Sequence, residues 1–368
     1  MTWIAWKRPP TSRHISIVST MRSNAHFGGL LKPVPQEAFS AWLARGLRTR
    51  NPAPFIRATD CLKRLRVKDA DGNLTRAVTE ELSMALGISN ECLRRSFLLP
   101  GDWLKAPLER RMQFCQLCLL NDFRCGRQPS LRINWLYWWF NVCPVHGCCL
   151  YIGDSTSAPA ALLSIVQFDL PWRSFTHVAF QSTERGSSYR CSTRQILKHM
   201  AWHFQCWYQV CVHRGTVTIG DVELAASVPE IELLMDDILA IIGKKRIYPF
   251  DPRSQIAWLL NIKACCSLRS NLPPEAGCEA FLCKDVGEHS TQIRMAMFAL
   301  LGLFLKLPNC VRMWQLSGVP IYDNNIERFW RTMHSDAVRM PSYLDWLKER
   351  ADGWSAPIRA HFRYLLES

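Results

Sequence analysis

Cys115-Gln116-Leu117-Cys118 and, further along, Cys143-Pro144-Val145-His146 decide how this chain is read. Each is a pair of soft ligands two residues apart, and two such pairs close a tetrahedral zinc site from two turns of backbone. Three thiolates and one imidazole fill the coordination sphere, so one structural zinc is expected, with no open position for chemistry. Phe114 and Leu119 flank the first pair as candidate packing around the ion, and Trp135, Trp138 and Trp139 lie between the pairs. The competing reading is coincidence, since 16 cysteines in 368 residues produce some close pairs. Ligand spacing in both halves of one short segment argues against it.

Upstream of this segment, Glu80 to Phe97 reads as two short helices. Leu82 and Leu86 mark the first, and Gly87 supplies the left-handed backbone of a tight turn. Ser89 or Asn90 caps the second, whose apolar side is Cys92, Leu93 and Phe97. That is the outline of a helix-turn-helix, with Arg94 and Arg95 facing outward where a recognition helix meets DNA. Asn90, Arg94 and Arg95 are therefore candidate nucleic-acid or partner contacts. Against DNA, many helical hairpins carry a glycine turn, and Glu80, Glu81 and Glu91 would repel phosphate.

Further out, Phe39, Trp42, Leu43 and Leu47 recur at helical spacing, and Gly46 weakens or ends that helix. Residues 1–30 are basic, polar and aperiodic and are expected to be a flexible extension. Downstream, Gly153 to Pro159 reads as a linker. Ile231, Leu234, Met235, Ile238, Ile241 and Ile242 then mark an amphipathic helix, Gln255 to Cys265 another, and Ile293 to Leu305 a buried one. Residues 315–335 hold a candidate second helix-turn-helix, for which an ordinary helical pair is the stronger alternative. The expected fold class is mainly α. Residues 31–105 form a helix-turn-helix domain, 106–153 a small zinc-binding module, and 154–368 a helical C-terminal region.

Hydrophobic residues make up 48% and charged residues 21%, a globular composition. A net charge of +14 suggests a polyanionic partner, such as nucleic acid or a ribonucleoprotein. The start of the chain lacks the continuous apolar stretch of a signal peptide. The strongest apolar run, Met295–Leu305, falls short of the roughly 20 residues that span a bilayer. A cytoplasmic protein with reduced thiols and metal ligands, acting without a membrane, is the expectation. There is no Gly-rich phosphate loop, no His-Glu-x-x-His and no nucleophile elbow, so an enzyme is not expected.

Leu99-Pro100-Gly101-Asp102-Trp103-Leu104 and Arg110-Arg111-Met112-Gln113-Phe114 lead into the first cysteine pair, which continues as Leu119-Leu120-Asn121-Asp122. The segment closes with Cys143-Pro144-Val145-His146-Gly147 and Leu150. With the opening Pro33-Val34-Pro35-Gln36-Glu37-Ala38-Phe39-Ser40-Ala41-Trp42-Leu43, residues 33–150 resemble the TniQ/TnsD family of transposition target-selection proteins.

The resemblance implies a non-catalytic target-site selector of a heteromeric transposon, with Cys115, Cys118, Cys143 and His146 as zinc ligands. Such proteins link DNA, or an RNA-guided CRISPR effector complex on which some sit as homodimers, to an AAA+ ATPase and the transposase subunits. One departure stands out. Many relatives carry a further Cys-x-x-Cys soon after the closing leucine, whereas Leu150 is followed here by Tyr-Ile-Gly-Asp-Ser-Thr-Ser. Cys148 and Cys149 are adjacent and badly spaced to chelate. Cys191, His203, Cys206, Cys211 and His213 offer further donors for a second zinc, but such residues in a tryptophan-rich helical segment more often fill a core. The alternative function is a free-standing, zinc-containing DNA-binding transcriptional regulator.

Overall fold

Helical periodicity and turn chemistry produce a mainly α protein, with a few short strands. The structure, a computed structural model, describes residues 27–97, 99, 101–153, 193–219, 222–243, 277–278, 282–283, 285–316 and 341–363. Two units are distinguished among these residues. The first draws on 27–102, 107–136 and 153, and the second on 103–106, 137–152 and the residues from 193 onward. The division runs through the stretch 106–153.

In the first unit, α1 (Phe39–Gly46), α2 (Ala53–Arg64), α3 (Arg76–Leu86) and α4 (Asn90–Phe97) surround an aromatic core. The Trp42 ring, fully buried, meets Phe55 at 5.1 Å and Phe97 at 5.0 Å between centroids. Rings at this separation add about 0.5–1.5 kcal/mol per pair beyond the area they bury. Phe27, inside the stretch that composition reads as extension, also packs edge-on against Trp42. Leu47, expected on the apolar stripe, is 39% exposed. It is the C-cap, still in helical conformation with its N–H donating to the Leu43 carbonyl at 3.0 Å, at the open end of the helix.

Thr75 caps α3 by accepting from the Val78 N–H, and Gly87 closes that helix in the left-handed conformation at φ 71°. Few side chains tolerate that backbone, so glycine sets where the chain turns into α4. Ser89, rather than Asn90, caps α4: its hydroxyl accepts from the Cys92 N–H at 3.1 Å. Cys92, Leu93 and Phe97 are buried. Arg111, itself buried, forks onto the Asp69 carboxylate at 2.7 and 2.5 Å, fixing the approach to the first cysteine pair. The short strand β1 (Gln113–Phe114) and helix α5 (Gln116–Arg124) follow.

The second unit contains the short strand β2 (Tyr151–Ile152), then α6 (Thr193–Arg214) and the strands β3 (Val217–Ile219) and β4 (Val222–Leu224). The last two pair antiparallel, with Thr218 opposite Glu223. Helices α7 (Val228–Ile242), α8 (Thr291–Phe304), α9 (Pro308–Leu316), α10 (Pro341–Asp352) and α11 (Ala356–His361) complete it. Helix α8 is buried from Ile293 to Phe304 and packs most extensively on α6. All six apolar positions expected on α7 are buried. Asp237 of α7, 2% exposed, accepts from Arg350 Nε at 2.7 Å and Trp354 Nε1 at 2.8 Å. The expected helix at 255–265 lies outside the described residues, as does the candidate second helix-turn-helix from residue 317 onward. Among the described residues no single helix is long and apolar enough to cross a membrane.

Candidate metal centre

Each ligand pair is brought together by local backbone. Cys115 stands in an extended conformation as the N-cap of α5, and Cys118 lies in that helix's first turn. The Leu119 N–H donates to the Cys115 carbonyl at 3.2 Å. A two-residue spacer thus sets both thiols on the same side of the helix start. Asp122 anchors the helix from beneath: 1% exposed, it takes a two-pronged contact from Arg132 at 2.8 and 2.6 Å.

The second pair sits in a knuckle. The Gly147 N–H donates to the Cys143 carbonyl at 2.8 Å, and the Cys143 N–H donates to the Cys148 carbonyl at 2.8 Å. Gly147 takes φ 60°, which lets the chain fold back so that Val142 bridges Cys149 in antiparallel fashion. Behind the knuckle lies Gln205 of α6, only 1% exposed. Its Oε1 accepts from the N–H groups of Asn141 and Val142, both at 2.8 Å. Its Nε2 donates to the Val142 carbonyl at 3.0 Å. Asn141 is fully buried and its Oδ1 accepts from Arg294 Nε at 3.4 Å.

The sulfurs of Cys115, Cys118 and Cys143 and a ring nitrogen of His146 all lie within 4.8 Å of one another. Four close Cys and His donors of this kind can hold a metal ion. Cys115 and Cys143 are buried, while Cys118 and His146 are half-buried. An ion with bonds of about 2.3 Å to sulfur and 2.05 Å to nitrogen in tetrahedral array sets those two atoms about 3.6 Å apart. Cys143 Sγ and His146 Nδ1 are separated by 3.6 Å. That spacing and the donor types are compatible with a thiolate-rich zinc site. Phe114 and Leu119 are fully buried, and Trp135, Trp138 and Trp139 nearly so.

The other sequence-derived candidates are placed as follows. Arg94 and Arg95 are exposed on α4, and Arg95 forms an ion pair with Glu91 one turn earlier on the same helix. Asn90 is half-buried, and its Oδ1 is enclosed without a hydrogen-bond partner among the described residues. Glu80 and Glu81 are occupied by Arg76 at 2.9 Å and Arg64 at 2.7 Å. Of the further donors, Cys191 lies outside the described residues. Burial pushes the Cys206 thiol up to about 11 and raises Cys211. Burial, then His199, lowers His203 to about 4. Among the described residues these groups do not gather into a donor set of three or more.

Gln205 and Asn141 are the positioning residues that motif reading passes over. Their signal was faint but present: each is a lone amide inside an aromatic stretch, Trp138-Trp139-Phe140-Asn141 and Trp202-His203-Phe204-Gln205. A polar residue in such company is buried only with partners. No protein-family model matches the chain, and no curated protein or solved structure does either.

Proposed function

We propose that this protein is a non-catalytic target-site selector of a heteromeric transposon, of the TniQ/TnsD type. It links DNA, or an RNA-guided CRISPR complex, to an AAA+ ATPase and through it to the transposase. The observation that carries this reading is the Cys115, Cys118, Cys143, His146 donor set, drawn within 4.8 Å at the positions the family resemblance assigns to zinc. Zinc would be structural: it would hold two short segments that contain little regular structure of their own. The α3–α4 pair, turning at Gly87, is the candidate helix-turn-helix, and Arg94 its most available cation. The net charge of +14 suits a polyanionic partner.

The test is affinity purification of the tagged protein from its host, with and without nuclease, identifying proteins and nucleic acids together. Recovery with an AAA+ ATPase and transposase subunits, or with a CRISPR effector and its RNA, is the expected result. Recovery alone on one short duplex sequence would overturn it in favour of a free-standing regulator.

A further inference from the structure

A second thiol–imidazole pair lies in the second unit, apart from the metal ligands. Cys283 Sγ and His289 Nε2 are 3.1 Å apart. The pair is built from several directions. The Cys283 N–H donates to the Ala240 carbonyl at 3.2 Å, pinning that residue to the last turns of α7. Gly243 makes room for it: a Cβ there would lie 2.6 Å from Cys283 Cβ and 3.0 Å from its sulfur. On the other side, Asp285 Oδ1 accepts from the Gly287 N–H at 2.7 Å, and the His289 N–H donates back to the Val286 carbonyl at 3.3 Å. This short turn presents the imidazole.

The His289 side chain has little else to do. The residue is 6% exposed, and its Nδ1 is buried with no hydrogen-bond partner among the described residues. An imidazole whose outer nitrogen is left unsatisfied is not held there as an ordinary core hydrogen-bonding group. Beside it, Arg294 Nη1 donates to the His289 carbonyl at 2.8 Å, and the guanidinium lies 4.5 Å over the Trp138 ring. Burial, then Arg294, holds the His289 pKa below the ordinary value, against opposing pulls from Glu288 and Asp285. The neutral ring is the form that accepts a proton. Cys283 is half-buried, so a small reagent can reach it.

We infer that Cys283, with His289 as its base, is a nucleophilic thiol that hydroperoxides oxidise to the sulfenic acid. Nε2 takes the thiol proton as sulfur attacks the distal peroxide oxygen. The S–O bond forms, the O–O bond breaks, and the departing hydroxide or alkoxide recovers that proton to leave as water or an alcohol. Sulfur loses two electrons and the peroxide gains them.

The experiment uses full-length, zinc-loaded protein, hydrogen peroxide and a cyclic dione that traps sulfenic acids, with labelling of each cysteine followed by peptide mass spectrometry. Cys125 is the internal reference, being exposed with its thiol donating to Asn121 Oδ1 at 3.9 Å. Cys283 should label at least about tenfold faster than Cys125, because a base within hydrogen-bonding reach of the thiol activates it as a nucleophile. His289→Gln should abolish that advantage and leave the Cys125 rate unchanged. Equal rates for the two cysteines in the wild-type protein overturn the assignment, and that ratio decides alone if the variant does not fold.

Discussion

Gln205 grips Val142 from both sides, accepting from its N–H at 2.8 Å and donating to its carbonyl at 3.0 Å. A side-chain amide thereby does what a neighbouring strand would do, one residue before the ligand Cys143. Gln205→Ala should leave the N–H groups of Asn141 and Val142 and the Val142 carbonyl without partners in a buried site. At about 1–3 kcal/mol for each of these three buried groups left unsatisfied, a loss of at least about 3 kcal/mol is expected. Chemical denaturation measures it. The second readout is metal transfer to a chromogenic chelator, which should quicken. Unchanged transfer would mean that the knuckle holds its shape without α6.

Cys115→Ser tests the metal centre directly. The thiol is fully buried at the N-cap of α5, and serine's hydroxyl is a poor ligand for a soft site. Bound zinc should fall from about one per chain, and residues around 106–150 should lose protection from hydrogen exchange. Full zinc occupancy with unchanged melting would remove the site.

Arg94 and Arg95, equivalent in sequence, differ in their surroundings. Arg95 pairs with Glu91, whereas Arg94 has no ion pair among the described residues. Arg94→Ala should therefore weaken nucleic-acid binding more than Arg95→Ala does, and lower the salt slope by about one. Filter binding across a salt series checks this. Equal affinity and slope in both variants would make α4 a protein-docking helix.

His203 predicts how stability follows pH. Burial, then His199, depresses it to about 4, while an unfolded chain returns it to about 6.5. Between these values the unfolded state binds more protons, so stability falls as pH drops from 6.5 toward 4 and its loss is complete below. The shift corresponds to up to about 3 kcal/mol. His203→Gln should flatten that part of the pH profile relative to wild type. Metal release on acidification affects both proteins alike, so the difference between their denaturation curves is the quantity to read.

Much of this protein was legible in its residues because the governing interactions are local. A Cys-x-x-Cys spacer places two thiols on one helical turn whatever surrounds it. Gly87 marks a left-handed turn, and the spacing of Ile231, Leu234, Met235 and Ile238 marks the buried face of α7. Periodicity does not show what covers a position: Leu47 continues the apolar stripe in helical conformation at the C-cap, yet is 39% exposed.

The sequence by itself determined the helical character, the turn positions and the four donor types, since each depends on backbone preferences or side-chain chemistry within a few residues. Tertiary structure decided which distant groups meet. Only the fold brings Gln205 to Val142, Arg111 to Asp69 and the two half-sites to within 4.8 Å. The physical reason is the same in each case. Such contacts arise between segments separated by tens of residues, and their partners are chosen by how helices pack, which no periodicity within one segment encodes.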